Sequence, residues 1–350
     1  MLKITKYTFK VNILSLPEII TIGSNTLDIL IQIDDILRFE LFDKEIIKKY
    51  TAIEYSRKLN VKNIKFVPGG SGANIAANCS MLGVNSAFIG VMGNDFSAEI
   101  CLSDLKKRGV DLSQVIQTDQ DTTALSIILR TPWGKDRSIL AYKGANNLLK
   151  PTDVQEEFFK NVKAFAWTSL TMEDSCRAIE KAITLTKNNG GTVFAAPSMS
   201  IIKNASNWAK ILLSNSDVVS LNVEEAQEFT GETKKTLMIK IFLDMGIDLI
   251  SITDGPNGSI ISDGKTIINS GVYSVGKVED TTGAGDAFLS GILISRLNGF
   301  SLEKTSKLAT AMSFLECKEI GVREGLPNSQ KELEDFVDEN TIKQVISEIV

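Results

Sequence analysis

The chain contains no histidine in 350 residues. That absence excludes every Ser-His-Asp or Cys-His mechanism, every histidine-ligated metal site and any imidazole acid or base. Proton chemistry is left to carboxylates, lysine, cysteine or tyrosine. Cysteine is scarce as well: Cys79, Cys101, Cys176 and Cys317 lie far apart and form no C-x-x-C pair, which argues against a zinc cluster or a redox dithiol. No window approaches the roughly 20 apolar residues a membrane helix needs. The N-terminal stretch carries Lys3, Lys6 and Lys10 and holds no clean apolar segment followed by a small-residue cleavage site. There is no basic excess: 38 Lys and Arg stand against 43 Asp and Glu, a net charge of −5. Neither nucleic acid nor a membrane is therefore an expected partner. A reduced, cytoplasmic protein is the expectation.

What is present is an ordinary globular balance, 43% apolar and 23% charged, long enough to bury a sizeable core. At roughly 150 residues per domain the length suits one large domain or two modest ones. Apolar runs alternate with helix-period stretches throughout. Glu18 to Ile22, Ser86 to Val91, Lys163 to Trp167, Gly191 to Ala195, Asp217 to Leu221 and Asp248 to Thr253 read as strands. Helices are expected at Ala73 to Leu82, Ala98 to Arg108, Asp174 to Lys187 and Glu224 to Phe229. Repeated strand-helix-strand units with short Gly-marked turns indicate a parallel α/β sheet covered by helices. No Pro/Gly/Ser-rich linker divides the chain, so residues 1–350 read as one domain. Two stretches break the rhythm. Ile29 to Asp35 and Ser126 to Ala141 are strand-like, the second with a turn at Thr131-Pro-Trp-Gly-Lys. Such inserted β segments, at about 24–36 and 122–143, suggest a small sheet acting as a lid over a cleft. The polar stretch from Phe39 to Asn60 reads as a helical insertion.

Two glycine clusters carry the chemical signal. Gly69-Gly70-Ser71-Gly72-Ala73-Asn74 opens one helix, and Asp280-Thr281-Thr282-Gly283-Ala284-Gly285-Asp286 opens another. Neither ends in Gly-Lys-Ser/Thr, so neither is a Walker A loop. Ile75 and Phe288 stand where G-x-G-x-x-G would need its third glycine, which weakens a nicotinamide reading. Small residues at a helix N-terminus leave backbone N–H groups unpaired and let an anion approach closely. An Asp placed directly after such a nest repels a passively held phosphate. It suits a migrating phosphoryl group, with Asp286 accepting the proton of the attacking hydroxyl. A first-turn Asp that merely complements the helix dipole is the plain alternative.

The sequence resembles the PfkB/ribokinase family of carbohydrate and nucleoside kinases over nearly its whole length. The residues that carry the resemblance are Gly23-Ser24-Asn25-Thr26-Leu27-Asp28, the Gly69 to Asn74 cluster, Gly144-Ala145-Asn146-Asn147, Asn222-Val223-Glu224-Glu225, Thr253-Asp254-Gly255 before Gly258, and the Asp280 to Asp286 run, all in the family's order. The resemblance implies a ribokinase-like three-layer α/β/α sandwich with a mainly parallel central sheet and a small β-sheet lid. It implies Asp286 as catalytic base and the amides of Gly283, Ala284 and Gly285 as an anion hole, where preorganised donors stabilise transferred charge. It places Asp28, Gly70 and Asn74 against the hydroxyls of a small-molecule sugar or nucleoside. Asn222 and Glu225 would face a hydrated Mg²⁺ on the phosphates of ATP, through water, although the same two residues fit an N-cap and capping box. Thr253, Gly255 and Gly258 would lie at the nucleotide, and Asp280 at a monovalent cation such as K⁺. A homodimer is compatible with this picture.

The chain also departs from the family's pattern. Ser71 stands where ribokinases carry a lysine, and Ala195-Ala196 precedes Pro197 where Asp or Asn is common. The N-terminal extension and the 39–60 insertion exceed a minimal ribokinase. The expected reaction is ATP-dependent phosphorylation of a hydroxyl, primary by expectation, on a sugar. A nucleoside kinase on the same scaffold is the first alternative, and a catalytically idle sugar sensor the second.

Overall fold

The structure, a computed structural model, describes residues 16–34, 36–43, 46–131 and 137–348. Most of the N-terminal extension, and the expected turn beyond Thr131, lie outside the described residues. Along the chain the strands are β1 (Ile19–Ile22), β2 (Thr26–Gln32), β3 (Leu37–Asp43), β4 (Ile46–Ala52), β5 (Asn63–Gly69), β6 (Ser86–Gly93), β7 (Val115–Thr118), β8 (Ala124–Arg130), β9 (Arg137–Tyr142), β10 (Ala164–Thr168), β11 (Thr192–Ala196), β12 (Val218–Asn222), β13 (Leu249–Thr253), β14 (Ser259–Ser262), β15 (Thr266–Ser270) and β16 (Gln344–Glu348). The helices are α1 (Ser71–Met81), α2 (Phe96–Lys107), α3 (Glu173–Asn188), α4 (Met199–Asn204), α5 (Ser206–Ser214), α6 (Val223–Thr230), α7 (Lys235–Asp244), α8 (Ala284–Leu297), α9 (Leu302–Glu316) and α10 (Gln330–Glu339).

Ten strands form the central sheet in the order β16-β15-β14-β13-β12-β11-β10-β1-β6-β7. The run from β7 to β13 is parallel, and β14, β15 and β16 extend it antiparallel. Successive side chains of a strand point to opposite faces, and here both faces are apolar. Ile20, Phe165, Trp167, Val193, Val219 and Ile250 join a core with α3, α5 and α7. Ile19, Ala166, Phe194, Val218 and Leu249 join a second core with α1, α8 and α9. That double burial makes the strands nearly continuous apolar runs and gives three layers, helices on sheet on helices, as expected. Trp167 is fully buried, and its indole N–H donates to Ser216 Oγ at 2.9 Å, so the polar atom is satisfied inside the core.

An accessory sheet of four strands runs β5-β2-β8-β9. It draws on the two stretches that broke the α/β rhythm and on β5, whose strand character the sequence reading did not pick out. Its inner face meets the rest of the molecule through Leu30, Val67 and Ile128, which pack on Val322. The Lys65 ammonium donates to the Ile320 carbonyl at 2.8 Å beside them.

The 39–60 segment is not helical. β3 and β4 pair antiparallel with Phe39 opposite Tyr50, and those rings stack with centroids 5.2 Å apart. Lys and Glu content favours helix by composition. Leu37, Phe39 and Leu41 nevertheless alternate with Arg38 and Glu40 at period two, and that period decides. Arg38 and Glu40, on one side of the ribbon, pair at 2.6 Å.

Candidate active site

The first glycine cluster lies where chain meets chain most closely. Gly70 caps α1 at φ +94°, and a Cβ there would come within 2.5 Å of the Ser24 carbonyl oxygen. A Cβ on Gly72 would lie 2.7 Å from the Gly23 Cα. Only glycine lets the start of α1 settle onto the end of β1. The Ser24 hydroxyl oxygen accepts from the Ser71 N–H at 3.0 Å and completes the junction. A Cβ at Gly69 would sit 2.7 Å from Asp28 Oδ2, so the Asp28 carboxylate lies across this turn. Asp28 is nearly buried, on the inner face of the accessory sheet opposite Val67.

From this junction α1 runs alongside α8, and the two helices meet through polar pairs one turn apart. Asn78 Nδ2 donates to Ser290 Oγ at 3.2 Å, and Asn74 Nδ2 donates to Asp286 Oδ2 at 2.6 Å. Residues four apart share a helix face, so Asn74 and Asn78 read directly onto Asp286 and Ser290. The two glycine-opened motifs are thereby brought into contact across 212 residues of sequence. Desolvation holds the Asp286 carboxyl above the usual aspartate range, against the lowering pull of hydrogen bonds from Asn74 and Ser71 and of the Arg323 charge.

Gly283 caps α8 in the left-handed conformation at φ +80°. A Cβ there would press to 2.6 Å from Glu316 Oε1, whereas one on Gly285 would meet nothing within 4 Å. The Gly285 N–H belongs to the first turn, where no intrahelical acceptor exists. The Ala284 N–H turns back on the Thr281 carbonyl in a long 3.4 Å bond. Asp280 shapes the preceding loop: its Oδ1 accepts from the Thr282 N–H at 3.0 Å and from the Thr282 hydroxyl at 2.7 Å.

Asn222 and Glu225 form the capping box. Asn222 Oδ1 accepts from the Glu225 N–H at 2.8 Å, and Glu225 Oε2 from the Asn222 N–H at 3.0 Å. Burial pushes the Glu225 carboxyl up to about 6, against backbone hydrogen bonds at Asn222 and Met199, and the Asp286 charge adds to the rise. The α6 start and the α8 start thus sense each other electrically. Thr253 pairs in register with Asn222 at the carboxyl ends of β13 and β12, and its hydroxyl reaches toward the Leu221 carbonyl at 3.4 Å. Gly255 has φ +48° and Gly258 φ +86°. A Cβ on Gly258 would collide with the Ser270 carbonyl oxygen at 2.0 Å, so close packing of β15 requires that glycine. The carboxyl ends of parallel strands are where open α/β sheets bind ligands.

The sequence reading missed Glu316 and Arg323. Glu316 is buried under the Gly283 turn, and burial pushes its carboxyl up to about 7 against the bonds it accepts from the Arg323 backbone. Arg323 is 1% exposed and donates to Asn74 Oδ1 at 2.9 Å. The only local signal was a lone arginine behind Ile320-Gly321-Val322, and nothing in the spacing points it at Asn74.

A model of the pfkB family carbohydrate kinases matches residues 41–329. The ATP-dependent 6-phosphofructokinase of Thermoanaerobacterium thermosaccharolyticum is 28% identical over 81% of this chain and 89% of its own. The ribokinase of Arabidopsis thaliana, solved with ribose and ATP, has a TM-score of 0.78 over 92% of this chain and 99% of its own, at 21% identity. The adenosine kinase of Sinorhizobium meliloti has a TM-score of 0.75 over 93% and 99%, at 24% identity. The two structures share the fold. The chain belongs to the pfkB family of carbohydrate kinases. No helix among the described residues is long and apolar enough to cross a membrane.

Proposed function

We propose that this protein transfers the γ-phosphoryl group of ATP to a hydroxyl, primary by expectation, of a free sugar. The observation that supports the reading is the 2.6 Å contact between Asn74 and Asp286, which joins the two glycine-opened motifs of the sequence. Asp28 and Asn74 orient the acceptor: a carboxylate receives hydroxyl protons, and an amide can both give and receive. Asp286 takes the proton of the attacking hydroxyl. The oxygen then bonds to the γ-phosphorus, and the bond to the bridging oxygen breaks with its electron pair leaving on ADP. Gly283 to Gly285 present first-turn amides to the charge that develops on the transferring group.

Glu225 and Asn222 suit a magnesium ion held through water. Among the described residues no group of three or more His, Cys, Asp or Glu side chains could hold a metal, and magnesium in such sites is carried largely by phosphates and its own waters. When bound with the nucleotide it supplies charge neutralisation at the phosphates. The accessory sheet, anchored on Val322 and carrying Asp28 on its inner face, acts as the lid that excludes water from the acceptor.

The test is Asp286→Asn. Turnover should fall by roughly 10²–10⁴-fold, the range for losing a general base, with nucleotide binding retained. Near-normal turnover in a folded variant overturns the assignment.

A further inference from the structure

Arg323 is 1% exposed and has φ +72°, a backbone conformation that L-residues rarely adopt. Strain of this kind persists only where the surroundings over-determine it, and here they do. The Arg323 N–H donates to both oxygens of Glu316, at 2.9 and 3.2 Å. Its guanidinium reaches three separate elements: Nη1 to Asp104 Oδ2 on α2 at 2.5 Å, Nε to Asn74 Oδ1 on α1 at 2.9 Å, and Nη2 to the Gly69 carbonyl at the end of β5 at 3.3 Å. Arg108 locks the assembly from the outside, donating to the Arg323 carbonyl at 2.9 Å and to Asp104 at 3.1 Å.

The consequence lies at Asn74. An amide side chain can present either end to Asp286. Arg323 is a pure donor, so it selects the amide oxygen and turns the NH₂ toward the Asp286 carboxylate. We propose that Arg323 is the positioning residue of the transfer reaction: it fixes the orientation of Asn74 against Asp286, ties that pair to the Gly69 turn across which the Asp28 carboxylate lies, and sets a permanent positive charge beside the proton acceptor. This rests on the reading of Asp286 as the base. The charge matters because carboxyl groups crowd this point. The Asp286 charge raises the carboxyls of Glu316 on α9 and Glu225 on α6, and Asp104 faces Arg323 from α2 with Arg108 beside it. Among these groups Arg323 is the one that favours the ionised carboxylate directly.

The experiment compares Arg323→Met, Arg323→Lys and Asp286→Asn with the unmodified enzyme, measuring kcat and KM against pH alongside thermal melts. Removing the charge makes Asp286 harder to ionise, so in Arg323→Met the acid limb of kcat/KM should move to higher pH. The same variant should lose about 10²-fold in kcat, the scale of a misplaced reacting group, with KM for ATP near its original value. Arg323→Lys keeps the charge but not the fork that engages three acceptors at once. It should hold the acid limb in place while losing about tenfold in kcat. If Arg323→Met does not fold, the lysine variant alone decides, and full kcat in it overturns the proposal. A lowered melting temperature in Arg323→Met with kcat and acid limb unmoved reduces Arg323 to a structural tie and also overturns it. Near-normal turnover in Asp286→Asn shows instead that the base assignment is at fault, and the inference falls with it.

Discussion

The two glycine-opened helices look alike in sequence, yet the second has a glycine, Gly285, that faces open space where Gly70 and Gly72 of the first face protein. At the start of α1, Gly70 and Gly72 face protein: a methyl group on either would drive into the backbone of residues 23–25. At the start of α8, Gly285 faces outward, and a methyl group there would meet nothing within 4 Å. One cluster is an internal joint that seats α1 on β1. The other keeps a helix N-terminus bare, with Asp286 one residue further on. Glycine next to glycine therefore does not by itself mark a ligand; what a Cβ would strike does.

Two reciprocal substitutions break or sharpen that contrast. Gly72→Ala should cost stability through overpacking, about 1–3 kcal/mol, reduced by up to about 1 kcal/mol because alanine favours helix. Urea denaturation reads it, and an unchanged midpoint would show that the α1 joint has slack. Gly285→Ala should leave the midpoint level or slightly raised and reduce kcat by about tenfold, equivalent to roughly 1.4 kcal/mol of transition-state binding, by filling the open side of the nest. Wild-type kcat in that variant would mean that no transferring group comes close to Gly285. The smallest effect is expected at α6. Gln can replace Glu in a capping box, so Glu225→Gln should keep its melting temperature near neutral pH while raising severalfold the Mg²⁺ concentration needed for half-maximal rate. A lowered melting temperature with an unchanged Mg²⁺ requirement would leave Glu225 as a cap alone.

The legibility of the molecule in its sequence follows the same division between local and distant. Strands β1, β10, β11, β12 and β13 were readable because both their faces are buried, so each stands out as an apolar run between turns. The α8 start was readable for an equally local reason, since nest and carboxylate are neighbours in sequence. The hairpin at 37–52 was misread because its Lys and Glu residues favour helix, while its aromatic and β-branched residues and its short alternation favour strand. β14 to β16 were not picked out: the last of them is a mostly exposed edge strand with little apolar pattern to detect. Arg323 lay beyond reach altogether. Its contact with Asn74 spans 249 residues and exists only once the accessory sheet, α1, α2 and the loop after α9 have assembled.

Acceptor-dependent ADP release is the most direct measurement of the central claim. Purified protein with ATP and Mg²⁺ should release ADP slowly alone and much faster with one or more free sugars, and the product should carry the new phosphate on a hydroxyl. If adenosine, inosine or cytidine were phosphorylated far more efficiently than every pentose and hexose tried, the sugar assignment would be contradicted. If no hydroxyl compound stimulated ADP release at all, the phosphotransfer assignment would be contradicted with it.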